Sequence, residues 1–167
     1  MQPNYLPLVK IFGAERHVVP LFQRPYVWQK EENWEPLWQD FSDLCDRVFA
    51  APNEPVRGHF LGTLVLEQIP HKSGGVSTRE IVDGQQRLTT LQILCQAVRH
   101  ALQEVEVAAA NAGDEPGTKA ARLAAARIGA MTRNPDFSEE DEQYKVWPTN
   151  EDRQPFRQVM DAARPLT

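Results

Sequence analysis

The chain is poor in cysteine, in closely spaced histidines, in long apolar runs and in positive charge. Two cysteines, Cys45 and Cys95, occur in 167 residues, and both fall on apolar helical stripes. Reduced core thiols of a cytoplasmic protein are therefore expected, not a disulfide framework. The four histidines, His17, His59, His71 and His100, form no close pair, which removes a zinc site from consideration. No apolar stretch approaches the ~18 residues that a membrane helix needs, and the mean hydropathy is −0.50. The first residues, MQPNYLPLVK, lack the charged-then-apolar build of a secretory leader. Lys and Arg number 18 against 23 Asp and Glu, giving a net charge of −5. A general DNA-coating surface requires the opposite sign. The deficit is uneven: residues 1–100 carry 10 basic and 11 acidic side chains, and 101–167 carry 8 and 12.

What remains is an ordinary globular composition, 41% hydrophobic and 25% charged, enough for one domain with a real core. Residues 16–22 read as a short strand, and Pro20 and Pro25 argue that it is not central in a sheet. A helix over about 33–49 carries Trp34, Leu37, Trp38, Phe41 and Leu44 at helical spacing, with both tryptophans as core anchors. Strands at 59–68 and 78–83 pair antiparallel across a loop tipped by Gly74 and Gly75. A strong helix follows over 84–105, then a break at 112–117 and an Ala-rich helix over 119–130. Acidic residues 136–142 make a solvated connector, and 145–148 a short strand. Thr149 is the cap candidate of a last helix faced by Phe156, Val159, Met160 and Ala163. Residues 1–110 are thus expected to hold the core and 111–167 a helical continuation of it. The chain stops at RPLT without a closing element, as a piece of something longer would.

One segment concentrates chemistry: Glu80-Ile81-Val82-Asp83-Gly84-Gln85-Gln86-Arg87-Leu88-Thr89-Thr90. A strand, a glycine turn and a helix start present free N–H groups and the positive end of a helix dipole, which together attract anions. Arg87 is a fixed fork for phosphoryl oxygens, and Gln85 and Gln86 can donate to oxygens or orient water. Asp83 can hold a magnesium ion or take a proton from a water, and Thr89 offers a hydroxyl one turn in. Against this stands a purely structural reading, in which Asp83 caps the helix, Gly84 serves the turn and Arg87 pairs with a surface acid. No GxxxxGK[ST] loop is present. A second segment, Gln23-Arg24-Pro25-Tyr26-Val27-Trp28, displays a guanidinium beside aromatic rings, suited to a phosphate and a base. Its alternative is core packing by Tyr26 and Trp28, with Arg24 in a salt bridge.

In order, VPLFQRPYVW, a Trp-containing helix, HFLGTLVLE and EIVDGQQRLTTLQIL resemble the DGQQR-motif N-terminal domain of GmrSD-type modification-dependent restriction proteins and their phage-defence relatives. The resemblance spans about residues 8–105, and KVWPTNEDRQPFRQVM is similar to the family's next element. It implies an α+β fold of ParB/sulfiredoxin type, a small mixed sheet flanked by helices. It also implies binding and hydrolysis of a nucleoside triphosphate with Mg2+ or another divalent cation. Carried over residue by residue, Asp83 serves metal or water activation, and Gln85 and Gln86 place water and phosphate. Gly84, Thr89 and Gln23 line the phosphates, and Arg87 and Arg24 supply charge. Arg24, Pro25, Tyr26 and Trp28 become the surface that senses modified double-stranded DNA, whether glucosylated or phosphorothioate. The resemblance further implies a C-terminal HNH nuclease domain as partner, and nothing in these residues resembles one. The chain is therefore expected to be the sensor and NTPase half. The alternative is a reader of modified DNA that hydrolyses nothing.

Overall fold

The computed structural model describes residues 4–55, 57–70 and 74–163. His71, Lys72 and Ser73 of the glycine-tipped loop, Val56, the first three residues and the final RPLT lie outside the described residues. A one-turn helix α1 (Leu8–Ile11) leads into strand β1 (Glu15–Val18). A π-turn at Lys30–Trp34 opens helix α2 (Glu35–Ala50). Strands β2 (Val65–Gln68) and β3 (Ser77–Asp83) follow, then helices α3 (Gln85–Asn111) and α4 (Glu115–Thr132). The two-residue strand β4 (Val146–Trp147) and helix α5 (Arg153–Asp161) close the described chain. The fold is α+β, with a four-stranded mixed sheet in the order β2-β3-β1-β4.

The expected antiparallel pair is present, with Leu66 opposite Ile81. The first strand corrects expectation. β1 lies inside the sheet, parallel to both β3 and β4. It ends at Val18, so Pro20 and Pro25 fall beyond the ladder and deprive it of no N–H donor. The strand expected over 59–68 shrinks to Val65–Gln68, because Gly62 turns to φ +102° and breaks the pleat before it. α3 is longer than its apolar stripe and ends where Gly113 takes φ +72°. α4 begins one residue after Asp114, whose side chain accepts from the Gly117 amide at 3.0 Å. Buried Ala121 and Ala125 let α4 lie close along α3.

The core gathers Phe12, Ile81, Leu88, Tyr144, Val146 and Met160 from both ends of the chain. Residues 111–167 thus supply a strand and several core side chains as well as helices. Tyr144 stacks on Trp147 at 5.2 Å and donates its hydroxyl to Asp161 at 2.7 Å. The Arg133 guanidinium lies 4.3 Å over its ring. The acidic run is exposed over 136–140, as expected of a solvated connector, and Asp141 takes the Arg16 guanidinium at 2.7 Å, within a 3-10 turn at Glu140–Gln143.

Trp34 and Trp38 are the second correction, at 37% and 56% exposure. No residue of α2 is buried. The helix lies loosely over α3 and leaves an apolar cavity of about 250 Å³ between them, lined by Leu37, Phe41, Leu91, Leu94 and Cys95. Burial pushes the Cys95 thiol up to about 11. Both cysteines are free thiols. Among the described residues no helix is long and apolar enough to cross a membrane.

Tyr144→Ala should cost about 3–5 kcal/mol in urea unfolding, as deletion of a packed aromatic does. Trp38→Ala should cost under about 1 kcal/mol, as a surface change does. His17 is fully buried, and burial holds its pKa below the ordinary histidine value. Its neutral form favours the fold, so stability is full above pH ~6.5 and falls as the unfolded chain takes up the proton below it. Unfolding free energies measured between pH 7 and 5 should show this slope, and His17→Gln should flatten it.

Candidate functional site

β3 ends at Asp83, and Gly84 reverses the chain at φ +96°. A Cβ on Gly84 would stand 2.4 Å from the Leu64 Cδ2, so only glycine fits there. Gly84 is also the N-cap of α3, and no side chain caps the helix. The backbone N–H groups of Gln85, Gln86 and Arg87 therefore have no hydrogen-bond partner among the described residues. The alternative in which Asp83 caps α3 is thereby removed. Its carboxylate is exposed, without a hydrogen bond or ion pair among the described residues.

Two segments wall this helix start. The first is residues 62–64, just before β2. The Arg87 guanidinium donates from Nη1 to the Thr63 carbonyl at 2.8 Å. It lies so close over Gly62 that a Cβ there would meet Cζ at 2.5 Å. One arm of Arg87 is thus fixed by backbone, not by a surface acid. No other partner of this guanidinium occurs among the described residues.

The second wall is residues 23–27, a strap with no secondary structure of its own. Gln23 Nε2 donates to the Val82 carbonyl at 3.2 Å. Gln85 Nε2 donates to the Arg24 carbonyl at 3.0 Å, and Gln86 Nε2 to the Pro25 carbonyl at 3.0 Å. Gln86 Oε1 accepts from the Val27 amide at 2.8 Å, and Asp152 Oδ2 from the Tyr26 amide at 2.9 Å. Side chains thus hold the polar backbone groups of four consecutive residues. The Tyr26 hydroxyl lies 2.6 Å from Thr90 Oγ1, which itself donates to the Gln86 carbonyl at 2.9 Å. Trp34 Nε1 donates to the same Tyr26 hydroxyl at 2.8 Å. Because the Thr90 proton goes to Gln86, the consistent order is Trp34 to Tyr26 to Thr90. Burial raises the Tyr26 pKa, against the pull of Thr90 and Trp34, with the Asp152 charge adding to the rise.

The structure thus brings Gln23, Arg24, Pro25, Tyr26, Asp83, Gly84, Gln85, Gln86 and Arg87 to one helix end. The Arg24 side chain is exposed and unpartnered among the described residues, so neither a salt bridge nor packing occupies it. Thr89 is buried inside α3's packed face, and Trp28 is half-buried with no hydrogen bond to its indole among the described residues. Gln86 uses both ends of its amide, whereas the Gln85 oxygen has no partner among the described residues. Sequence reasoning missed Asp152, Thr63 and Leu64. Their only sequence signals were a glycine before a strand and an acid four residues ahead of Phe156.

Among the described residues no three His, Cys, Asp or Glu side chains gather as a metal cage. Magnesium needs no such cage. It commonly takes one or two carboxylates together with substrate phosphates, and a lone, free Asp83 beside open amides fits that donor set.

A protein-family model, "GmrSD restriction endonuclease, N-terminal domain", matches residues 8–167. No curated protein matches the chain.

Gln86→Leu removes the partners of the Pro25 carbonyl and the Val27 amide together. It should cost about 1–3 kcal/mol and raise hydrogen exchange at Val27 well above that at β3. Unchanged exchange at Val27 would mean that something else holds the strap.

Proposed function

The chain belongs to the family of GmrSD restriction endonuclease N-terminal domains, and from that premise and the geometry of the α3 start we propose a nucleoside triphosphatase sensor domain. In this reading it couples recognition of modified DNA to a nuclease carried elsewhere in the restriction protein. The observation that carries it is the uncapped α3, with three open amides, flanked by Arg24 and by the free arm of Arg87. A helix start carries about half a positive charge, and charge-assisted bonds from guanidinium are the strong ones. In a chain of net charge −5, a polyanion finds its favourable field at such a local site.

Asp83 would hold a divalent cation that arrives with the triphosphate, and the cation would offset phosphate charge. The open oxygen of Gln85 can orient a water. Gln86 acts on the strap, since its amide is fully engaged there. Thr89, buried, supports the helix start from within. The strap also exposes Val27 to solvent, and Leu21 and Phe22 just before it are exposed as well. A modified duplex that engages Arg24, Pro25, Tyr26 or Trp28 would press on the same strap that borders the phosphates. The exposed Leu21 and Phe22 beside Arg24 also favour the second reading, a DNA reader without hydrolysis.

The test is phosphate release from ATP and GTP with Mg2+, with and without modified duplex. Asp83→Ala and Arg87→Ala should each slow turnover about 10- to 100-fold, the loss expected for one charged contact of ~1.5–3 kcal/mol. Wild-type rates in Arg87→Ala would remove this helix start from the reaction. Tight binding of modified duplex without any phosphate release would establish the reader.

A further inference from the structure

Asp152 stands at the N-cap of α5 and does not cap it. An aspartate there ordinarily turns its carboxylate onto the first amides of its own helix. Here no side-chain cap bond forms. Oδ2 instead accepts from the Tyr26 amide at 2.9 Å, 126 residues away in sequence, and from the Thr149 hydroxyl at 2.5 Å. Thr149, expected to cap α5, aims the carboxylate instead.

The helix that presents Asp152 is itself firmly held. At its far end Asp161 takes the Tyr144 hydroxyl at 2.7 Å and Arg133 Nη2 at 2.5 Å. The Met160 carbonyl accepts from Gln96 Nε2 at 3.1 Å. At its near end the Arg153 guanidinium lies 5.3 Å from the Trp147 ring centroid. Asp152 is thus a fixed charge at the end of a braced helix, bound to the middle of the strap.

We propose that Asp152 is a positioning residue for the nucleotide site, holding the strap so that Arg24 faces the phosphates; this rests on the triphosphatase reading above. Gln85 and Gln86 pin the strap from α3, and Gln23 ties its first residue to the Val82 carbonyl of β3. The Tyr26 amide, two residues beyond Arg24, is where α5 adds a third element. Anchors on different elements before and after Arg24 fix its direction more tightly than those of α3 and β3 alone. Preorganised charge is worth more than charge that must be brought into place on binding.

The experiment is steady-state triphosphate hydrolysis by the full chain for Asp152→Ala, Asp152→Asn, Arg24→Ala and the Asp152→Ala/Arg24→Ala double variant. Amide exchange at Tyr26 and thermal unfolding are followed alongside. Asp152→Ala should raise KM about tenfold with kcat changed less than threefold, and should speed Tyr26 exchange. Asp152→Asn keeps an acceptor oxygen and should stay within about twofold of wild type. In the Arg24→Ala background, Asp152→Ala should add less than twofold, because the group it positions is gone. A merely structural role would give an effect that multiplies unchanged in that background, and that result overturns the proposal. If Asp152→Ala does not fold, Thr149→Val is read instead. It should raise KM about threefold, and an unchanged KM overturns the proposal. A wild-type protein that turns over nucleotide while Asp152→Ala leaves KM unchanged overturns this proposal alone. A wild-type protein that neither binds nor hydrolyses triphosphate overturns the triphosphatase reading, and this proposal with it.

Discussion

The Gln86 carboxamide donates to the Pro25 carbonyl and accepts from the Val27 amide, so one side chain does for the strap what a neighbouring strand would do. Gln85 and Asp152 extend the same arrangement to the Arg24 carbonyl and the Tyr26 amide. An irregular segment of backbone beside a helix start would otherwise leave half-buried polar groups without partners, at a cost of about 1–3 kcal/mol each. With these three side chains in place, residues 23–27 lie against α3 as an ordered wall. The Arg24 side chain on that wall is exposed and unpaired among the described residues.

The opposite wall depends on two glycines. Gly62 lets the Arg87 guanidinium lie flat on the backbone, and Gly84 lets Leu64 close over the turn. Between the walls α3 begins at Gly84 without a side-chain cap, at a cost of about a few tenths of a kcal/mol relative to a Ser or Asp. A helix of 27 residues, packed along α4 and on the core, tolerates that loss. Local stability is given up where three amides stay open, which is the pattern expected at a binding site.

Much of this was legible in the sequence. The strand, glycine and helix start around Asp83 and Gly84 lie where local pattern put them, and so does the antiparallel pair of β2 and β3. What escaped was long-range. β1 enters the sheet interior because β4 arrives from residue 146, and no local pattern announces that pairing. Trp34 and Trp38 sit at helical spacing as core residues do, yet no element among the described residues covers them, so periodicity read a face without knowing its partner. The glutamines looked free to meet a ligand, because a carboxamide bonded to backbone 61 residues away has no signature in its own neighbourhood. Asp152, bonded to the Tyr26 amide 126 residues away, had no signature for the same reason.

Central to the account is that phosphates meet the open amides of α3. The most direct measurement is an amide NMR titration of the chain with GTP or ATP and Mg2+. The largest shifts should fall on Gln85, Gln86 and Arg87, with a second group over residues 23–27 and little change in α4. Saturable shifts elsewhere, with the first turn of α3 unmoved, would contradict it.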